Sequence, residues 1–284
     1  MNLRDTLQKH NFKFKKKFGQ NFITDGNLLQ KIVDAGEVGP DDVIIEVGPG
    51  AATLTKALAK QAKAVIAIEI DTELLPIIEE AMEGFDNFYL VQGDALQIDI
   101  DKLVEEKLGT PHRCKVIANL PYYITTPLVM HFLEQGFSID RIVIMVQKEV
   151  AERFTALPGK KEYGAITVSL HYYGSVRNAF VVPRQMFIPK PDVDSAVVDI
   201  QPWQEKPLIA DDEVLFHRLV KAAFGQRCKT LNNALKTLKL DGELLQSALA
   251  QCGIDGTRRG ETLSVAEFVA LSNTISSLIL SQTK

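Results

Sequence analysis

Four residues in the middle of the chain, Asn119-Leu120-Pro121-Tyr122, follow an apolar run Lys115–Ala118 that reads as a strand. Their types suit one kind of chemistry. The exocyclic amine of adenine is a poor nucleophile, because its lone pair is delocalised into the ring. It needs two hydrogen-bond acceptors that hold its N–H groups and turn the lone pair outward. The amide oxygen of Asn119 offers one, and the carbonyl of Leu120, ahead of the fixed φ of Pro121, offers the other. Tyr122 offers a face on which an extruded base can stack. Alone, the motif is equally a strand-end Asn-x-Pro turn.

Three more strand ends change that balance. Glu46-Val47-Gly48-Pro49-Gly50-Ala51-Ala52 follows the apolar run Val43–Val47, and its glycines let the backbone approach a ligand at a helix N-terminus. Glu69, about 20 residues beyond the glycines at the end of Val65–Ile70, is placed to accept from both hydroxyls of a ribose. Gly93-Asp94-Ala95-Leu96 follows Phe88–Val91, where the carboxylate of Asp94 reaches for an adenine amine. Each acid alone is equally a solvated loop residue; the three in series indicate a nucleoside cofactor. A dinucleotide fingerprint needs glycine at position 53, which is Thr53. Glu46, an acid just ahead of the glycines, suits instead the cationic amino-acid end of S-adenosyl-L-methionine. A methyl already activated by a sulfonium asks for in-line positioning, which accords with the lack of a His or Cys nucleophile constellation.

These groups need a scaffold. Apolar strands at 43–47, 65–70, 88–91, 115–118 and 142–147 alternate with helical patterns at 28–35, 51–61, 72–83 and 127–135. Strands buried on both faces with helices between them predict a parallel, doubly wound, Rossmann-like α/β sheet. Ile166–Tyr172, Val176–Val182 and Ala196–Ile200 read as antiparallel strands that close it. The Pro- and charge-rich stretch Gln201–Asp212 reads as a linker. Helical patterns follow at 213–224, 230–239, 243–252 and 265–278, so a methyltransferase domain (residues 1–203) precedes a small all-α domain (204–284).

Bulk composition narrows the setting. The 284 residues carry a net charge of −4, which argues against indiscriminate coating of nucleic acid. Yet Met1–Gln20 holds six bases and one acid, and Val214–Leu240 six bases and no acid. Two basic segments on an acidic body fit local phosphate contact, with Lys15, Lys16, Lys17, Arg227 and Lys229 as candidates. Two solvated faces are the alternative. No apolar run approaches a membrane span, and the polar, basic start lacks a signal-peptide core. Cys114, Cys228 and Cys252 are read as buried free thiols, and no metal site is expected. The expected setting is the cytoplasm, and the expected state a monomer.

The chain resembles the bacterial KsgA family, the small-subunit ribosomal RNA adenine-N6,N6-dimethyltransferases. The resemblance runs nearly end to end. It is carried by Lys16-Lys17-Phe18-Gly19-Gln20-Asn21-Phe22, the motifs at Glu46, Gly93 and Asn119, and Gln147-Lys148-Glu149-Val150-Ala151. Phe187-x-Pro189-x-Pro191-x-Val193-x-Ser195 and Glu261-Thr262-Leu263-Ser264 complete it. It implies cofactor contacts from Asn21 and Ile23, then Gly48, Glu69, Asp94 and Asn119, with Gln20, Gly50 and Ala95 in the same set. It further implies that Phe187 stacks on the target base opposite Tyr122, and that the partners are small-subunit ribosomal RNA and the small ribosomal subunit or its precursor. Ala52 departs from the third glycine common in related methyltransferases, and Gly260 from an expected proline. Large-subunit enzymes of the antibiotic-resistance type share the chemistry but tend to Asn-Ile-Pro at the catalytic motif and to strongly basic chains. DNA adenine methyltransferases favour two prolines there. A ribosome-assembly factor that binds RNA without turnover is the reading from another class.

Overall fold

The structure, a computed structural model, describes residues 9–10, 21–120, 124–226 and 228–282. They fall into two compact units. One takes the described residues up to Ala151 together with Val176–Pro202; the other takes Glu152–Ser175 with those from Trp203 on.

The first unit opens with a two-residue strand β1 (Phe22–Ile23) and helix α1 (Gly26–Ala35). Asp25 caps α1, its Oδ1 accepting from Leu28 N at 2.8 Å, and Leu28, Leu29, Ile32 and Val33 bury one face. Then follow β2 (Val43–Val47), α2 (Thr53–Ala59), β3 (Ala64–Glu69), α3 (Leu75–Ala81), β4 (Phe88–Gln92), α4 (Ile100–Leu108), β5 (Cys114–Asn119), α5 (Thr125–Glu134) and β6 (Ile139–Gln147). The helix α6 (Lys148–Phe154) ends in the second unit. All of β2 and β3 is buried, as strands covered on both faces require.

The unit's remaining strands come after a helix, α7 (Ala165–Tyr173), that belongs to the second unit. They are β7 (Gly174–Val182), β8 (Phe187–Ile188) and β9 (Ser195–Pro202). Seven strands form one sheet in the order β4-β3-β2-β5-β6-β9-β7. β2 to β6 run parallel, and β9 runs antiparallel to β6. Strand order reverses between β2 and β5, so a crevice opens at their carboxyl ends. β1 and β8 pair separately, Phe22 with Ile188 and Ile23 with Phe187. They bring the first described stretch and the Phe187 motif together.

The second unit is helical. It holds α7, α8 (Glu213–Gly225), α9 (Leu231–Ala234) continuing as a 3₁₀ turn Leu235–Leu238, α10 (Gly242–Gln251) and α11 (Val265–Gln282). Ser264 and Glu267 cap α11 reciprocally: Ser264 N donates to Glu267 Oε2 at 2.7 Å, and Glu267 N to Ser264 Oγ at 3.2 Å. Glu267 is also held by Arg258. The Glu261–Ser264 motif is therefore a helix start.

Three expectations change. Ile166–Tyr172 is helix, not strand; a short, β-branched, apolar run cannot be assigned by periodicity alone. Here Thr167, Val168, Leu170 and Tyr172 are all buried, and Thr167 Oγ1 accepts from Gly164 N while donating to Arg153 O. Secondly, Glu152–Ser175 joins the helical unit, which a single cut after residue 203 does not foresee. The physical tie is Glu213 on α8, whose carboxylate accepts from Tyr172 and Tyr173 at 2.9 and 3.1 Å. Lastly, of the three thiols only Cys114 is buried, and burial pushes it up to about 12; Cys228 is exposed and Cys252 half-buried. No helix among the described residues is long and apolar enough to cross a membrane.

Candidate functional site

At the carboxyl ends of β2, β3, β4 and β5 the first unit encloses a pocket of about 970 Å³, its open mouth included. Asn21, Ile23, Glu46, Gly48, Gly50, Glu69, Asp94, Ala95, Asn119 and Leu120 all line it. These ten sequence-predicted residues, drawn from five separate segments, meet in one place.

The backbone explains how. Gly48 N donates to Ile68 O, and Gly93 N to Glu69 O, each at 2.9 Å, so the loops after β2 and β4 are pinned to β3. Gly48 and Gly50 sit at φ +66° and +60°, a conformation that a side chain resists. At Gly50 space forbids one as well, since an added Cβ would lie 2.7 Å from the Phe22 ring. The loop thus turns around a wall that β1 supplies.

The carboxylates are poised differently. Glu69 is 4% exposed and its Oε1 accepts from Asp71 N at 2.8 Å. Burial nonetheless raises its carboxyl above the usual range, against backbone N–H groups of Asp71, Gly50 and Ile70 that pull it down. Asp94 Oδ1 accepts from Leu96 N at 3.0 Å, which fixes the turn after β4. Glu46 is 1% exposed, and burial pushes it up to about 8. Its Oε2 has no hydrogen-bond partner among the described residues.

Asn119 ends β5. Its Nδ2 donates to the backbone carbonyl of Asn21 at 2.8 Å. Only the amide nitrogen can satisfy a carbonyl, so this bond decides which way the amide is turned. No donor among the described residues reaches Oδ1, which is left as an acceptor.

Other expected residues lie apart. Phe187, in β8, is 3% exposed, packs in the core with Phe22 and Val182, and does not line the pocket. Lys229 is exposed in the second unit. Gln20, Pro121, Tyr122, Lys15, Lys16, Lys17 and Arg227 lie outside the described residues. Sequence reasoning missed Phe22, Thr53, Leu74, Ile124 and Ile70 as lining residues. Ile70 is a large apolar residue left 49% exposed directly after the strand-end acid.

The pocket fits S-adenosylmethionine. It offers an orphaned, buried carboxylate oxygen at one strand end, a second carboxylate on the neighbouring strand and a third beyond it. No lysine, arginine or histidine is among its described lining residues. Such a cavity suits a ligand that carries positive charge.

Comparison with known proteins agrees. The chain is 46% identical over 281 residues to the Ribosomal RNA small subunit methyltransferase A of Clostridioides difficile, covering 98% of this chain and 96% of that one. The protein of the same name from Geobacillus kaustophilus is 44% identical, at 97% and 95% coverage. Among solved structures, a dimethyladenosine transferase from Plasmodium falciparum matches with a TM-score of 0.75 at 25% identity, over 88% of this chain and 95% of that one. The 23S rRNA methyltransferase ErmE matches in fold, with a TM-score of 0.68 at 24% identity, over 90% and 100%. The family model for ribosomal RNA adenine dimethylase matches residues 11–277, and the chain belongs to that family.

Proposed function

We propose that this chain uses S-adenosyl-L-methionine to dimethylate the N6 amines of two adjacent adenosines in small-subunit (16S) ribosomal RNA. It acts in the cytoplasm, as a monomer, on the small subunit or its precursor, and serves in that subunit's biogenesis. The observation that carries this reading is the orientation of Asn119. Its amide nitrogen is spent on the Asn21 carbonyl, so its oxygen is committed to accepting from a ligand at the pocket mouth.

The cofactor, when bound, supplies a methyl group made electrophilic by its positive sulfonium. Glu46 faces the cationic amino-acid end, Glu69 accepts from the ribose hydroxyls, and Asp94 accepts from the adenine amine. Gly48 and Gly50 let the backbone close on the chain between them. Asn119 Oδ1 takes one N–H of the target amine and the carbonyl of Leu120 the other, which turns the lone pair toward the methyl. Tyr122 stacks on the extruded base. Phe187 would have to be uncovered to stack opposite, and its strand pairs with the one that follows Asn21, whose carbonyl holds Asn119. Phosphate contact falls to Lys15, Lys16 and Lys17 and, in the chain of the helical unit, to Arg227 and Lys229. The relatives at 46% and 44% identity carry the small-subunit name, which supports that substrate over the large-subunit one.

Asn119→Ala should lower single-turnover methylation at least ~100-fold, as loss of one transition-state hydrogen bond does elsewhere. RNA affinity should stay within about 1 kcal/mol of wild type. Near-normal transfer would mean that other groups hold the amine. Mass spectrometry of small-subunit RNA from cells with and without the gene tests the substrate: dimethyladenosine should be lost.

A further inference from the structure

Of the three acids lining the pocket, two have their oxygens engaged by the fold. Glu69 Oε1 takes the Asp71 N–H and Asp94 Oδ1 the Leu96 N–H. Glu46 differs. It is 1% exposed near the end of β2, and its Oε2 meets no donor among the described residues. On α2, Thr55 draws the carboxyl down a little, yet Thr55 Oγ1 also ends without a hydrogen bond. On β3, Glu69 adds repulsion. Asn21 beside β1, Thr53 at the start of α2 and Asn119 on β5 complete the described polar lining and do not titrate; Asp94, after β4, adds only more negative charge. Among the described residues that line the pocket there is no cation to compensate a buried carboxylate.

An acid in that position keeps its proton while the pocket lacks a cation. A docked ammonium ion reverses the preference, because an opposite charge within ~4–6 Å favours the ionised carboxyl. We propose that Glu46 reads the ammonium group of the cofactor's amino-acid end by surrendering its own proton, so that the pocket selects ligands by the charge of their tail. The carboxyl O–H bond breaks, the proton passes to water or buffer base, and a carboxylate–ammonium pair remains; no other bond changes. The inference rests on the proposed placing of the amino-acid end beside β2.

Burial sets the Glu46 carboxyl near 8, while an α-amino group loses its proton at ~7.7–8.0. At pH 6.5 both are protonated before binding, and about 0.9 proton should leave per ligand bound. Affinity should climb close to tenfold from pH 6 to 7 and level off near 8, where ligand and site both deprotonate.

Titration calorimetry of the whole chain at pH 6.5, in phosphate and in Tris, reads the released proton from the difference in heat. S-adenosylmethionine and S-adenosylhomocysteine should each release about one proton, since both carry the ammonium. 5′-Methylthioadenosine, which lacks the amino-acid end, should release none. Glu46→Gln should abolish the release, whereas Glu69→Gln should weaken binding but keep it. Circular dichroism of Glu46→Gln checks that it folds. Equal heats in both buffers for wild type, release with methylthioadenosine, or unchanged release in Glu46→Gln would each overturn the proposal. Binding without proton exchange leaves the cofactor site standing and removes only this inference. Failure of both cofactor forms to bind removes both.

Discussion

Two of the carboxylates buried in the large sheet meet their charge in opposite ways. Asp199, on β9 opposite Val143, is 1% exposed and lies between two arginines. Arg177 on β7 contacts Oδ2 through Nε at 2.8 Å and Nη2 at 2.7 Å. Arg141 on β6 brings Nε to 3.6 Å from Oδ1 and also holds Glu37 at 2.8 Å. Glu46 is equally buried and has no cation beside it among the described residues. Burying charge is costly unless it is paired, so Asp199 is compensated by the architecture, whereas Glu46 is, under the proposed function, left for a ligand to compensate.

That contrast can be broken by mutation. Arg141→Met should be the most damaging change, because it leaves Asp199 half-compensated in the core and strips Glu37 of the arginine that holds its carboxyl below the usual range. We expect a loss of about 3 kcal/mol in urea unfolding. A loss below about 1 kcal/mol would mean that Arg177 suffices and that the network is peripheral. Glu46→Gln should act in the other direction. Its folded-state value, about 8, lies above the ordinary glutamate value of 4.5. The stability this gives is therefore full below pH 4.5 and is lost as pH rises through 8. Cofactor-free wild type should lose on the order of 3 kcal/mol from this group between pH 5 and 8. Glu46→Gln should flatten that slope, and parallel curves for the two proteins would refute the contrast.

Glu69 stands between these extremes, buried but served by backbone donors, and it refines the contrast. Glu69→Ala should weaken cofactor binding by roughly 1.5–3 kcal/mol, the range for hydrogen bonds to a charged group. An unchanged dissociation constant in calorimetry would place the ribose elsewhere.

The sequence made the strand-end chemistry readable because each group sits at the end of its own apolar run. Glu46, Glu69, Asp94 and Asn119 needed only a parallel sheet to converge. What could not be read depended on contacts remote in sequence. The turn of the Asn119 amide comes from Asn21, 98 residues away, and reaches it from beside the β1–β8 pair, whose two-residue strands are too short for any periodic signal. The helix α7 was misread because its apolar, β-branched run is buried on most sides, so neither period shows. The link between Tyr172, Tyr173 and Glu213 was invisible for the same reason that Asp199 was: pairing of polar groups inside a core leaves no local trace.

The smallest expected effect concerns two neighbouring positions with the same backbone. Gly50 and Ala52 have φ of +60° and +59°, yet one is glycine and the other is not. Left-handed backbone costs a non-glycine residue roughly 1–2 kcal/mol. At Ala52, which is fully buried, the methyl recovers about 0.8 kcal/mol by burial, and alanine in place of glycine spares roughly 0.4–1 kcal/mol of unfolded-state entropy. These offsets nearly cancel the strain, which explains why alanine is tolerated there. Ala52→Gly should therefore shift stability by less than about 1 kcal/mol in either direction. At Gly50 no offset exists, since a Cβ would press the Phe22 ring at 2.7 Å and that ring lines the pocket. Gly50→Ala should destabilise by at least the strain of about 1–2 kcal/mol and should also weaken cofactor binding. Equal stability losses for the two variants, measured by thermal unfolding, would mean that φ alone governs this loop and that the wall supplied by β1 does not matter.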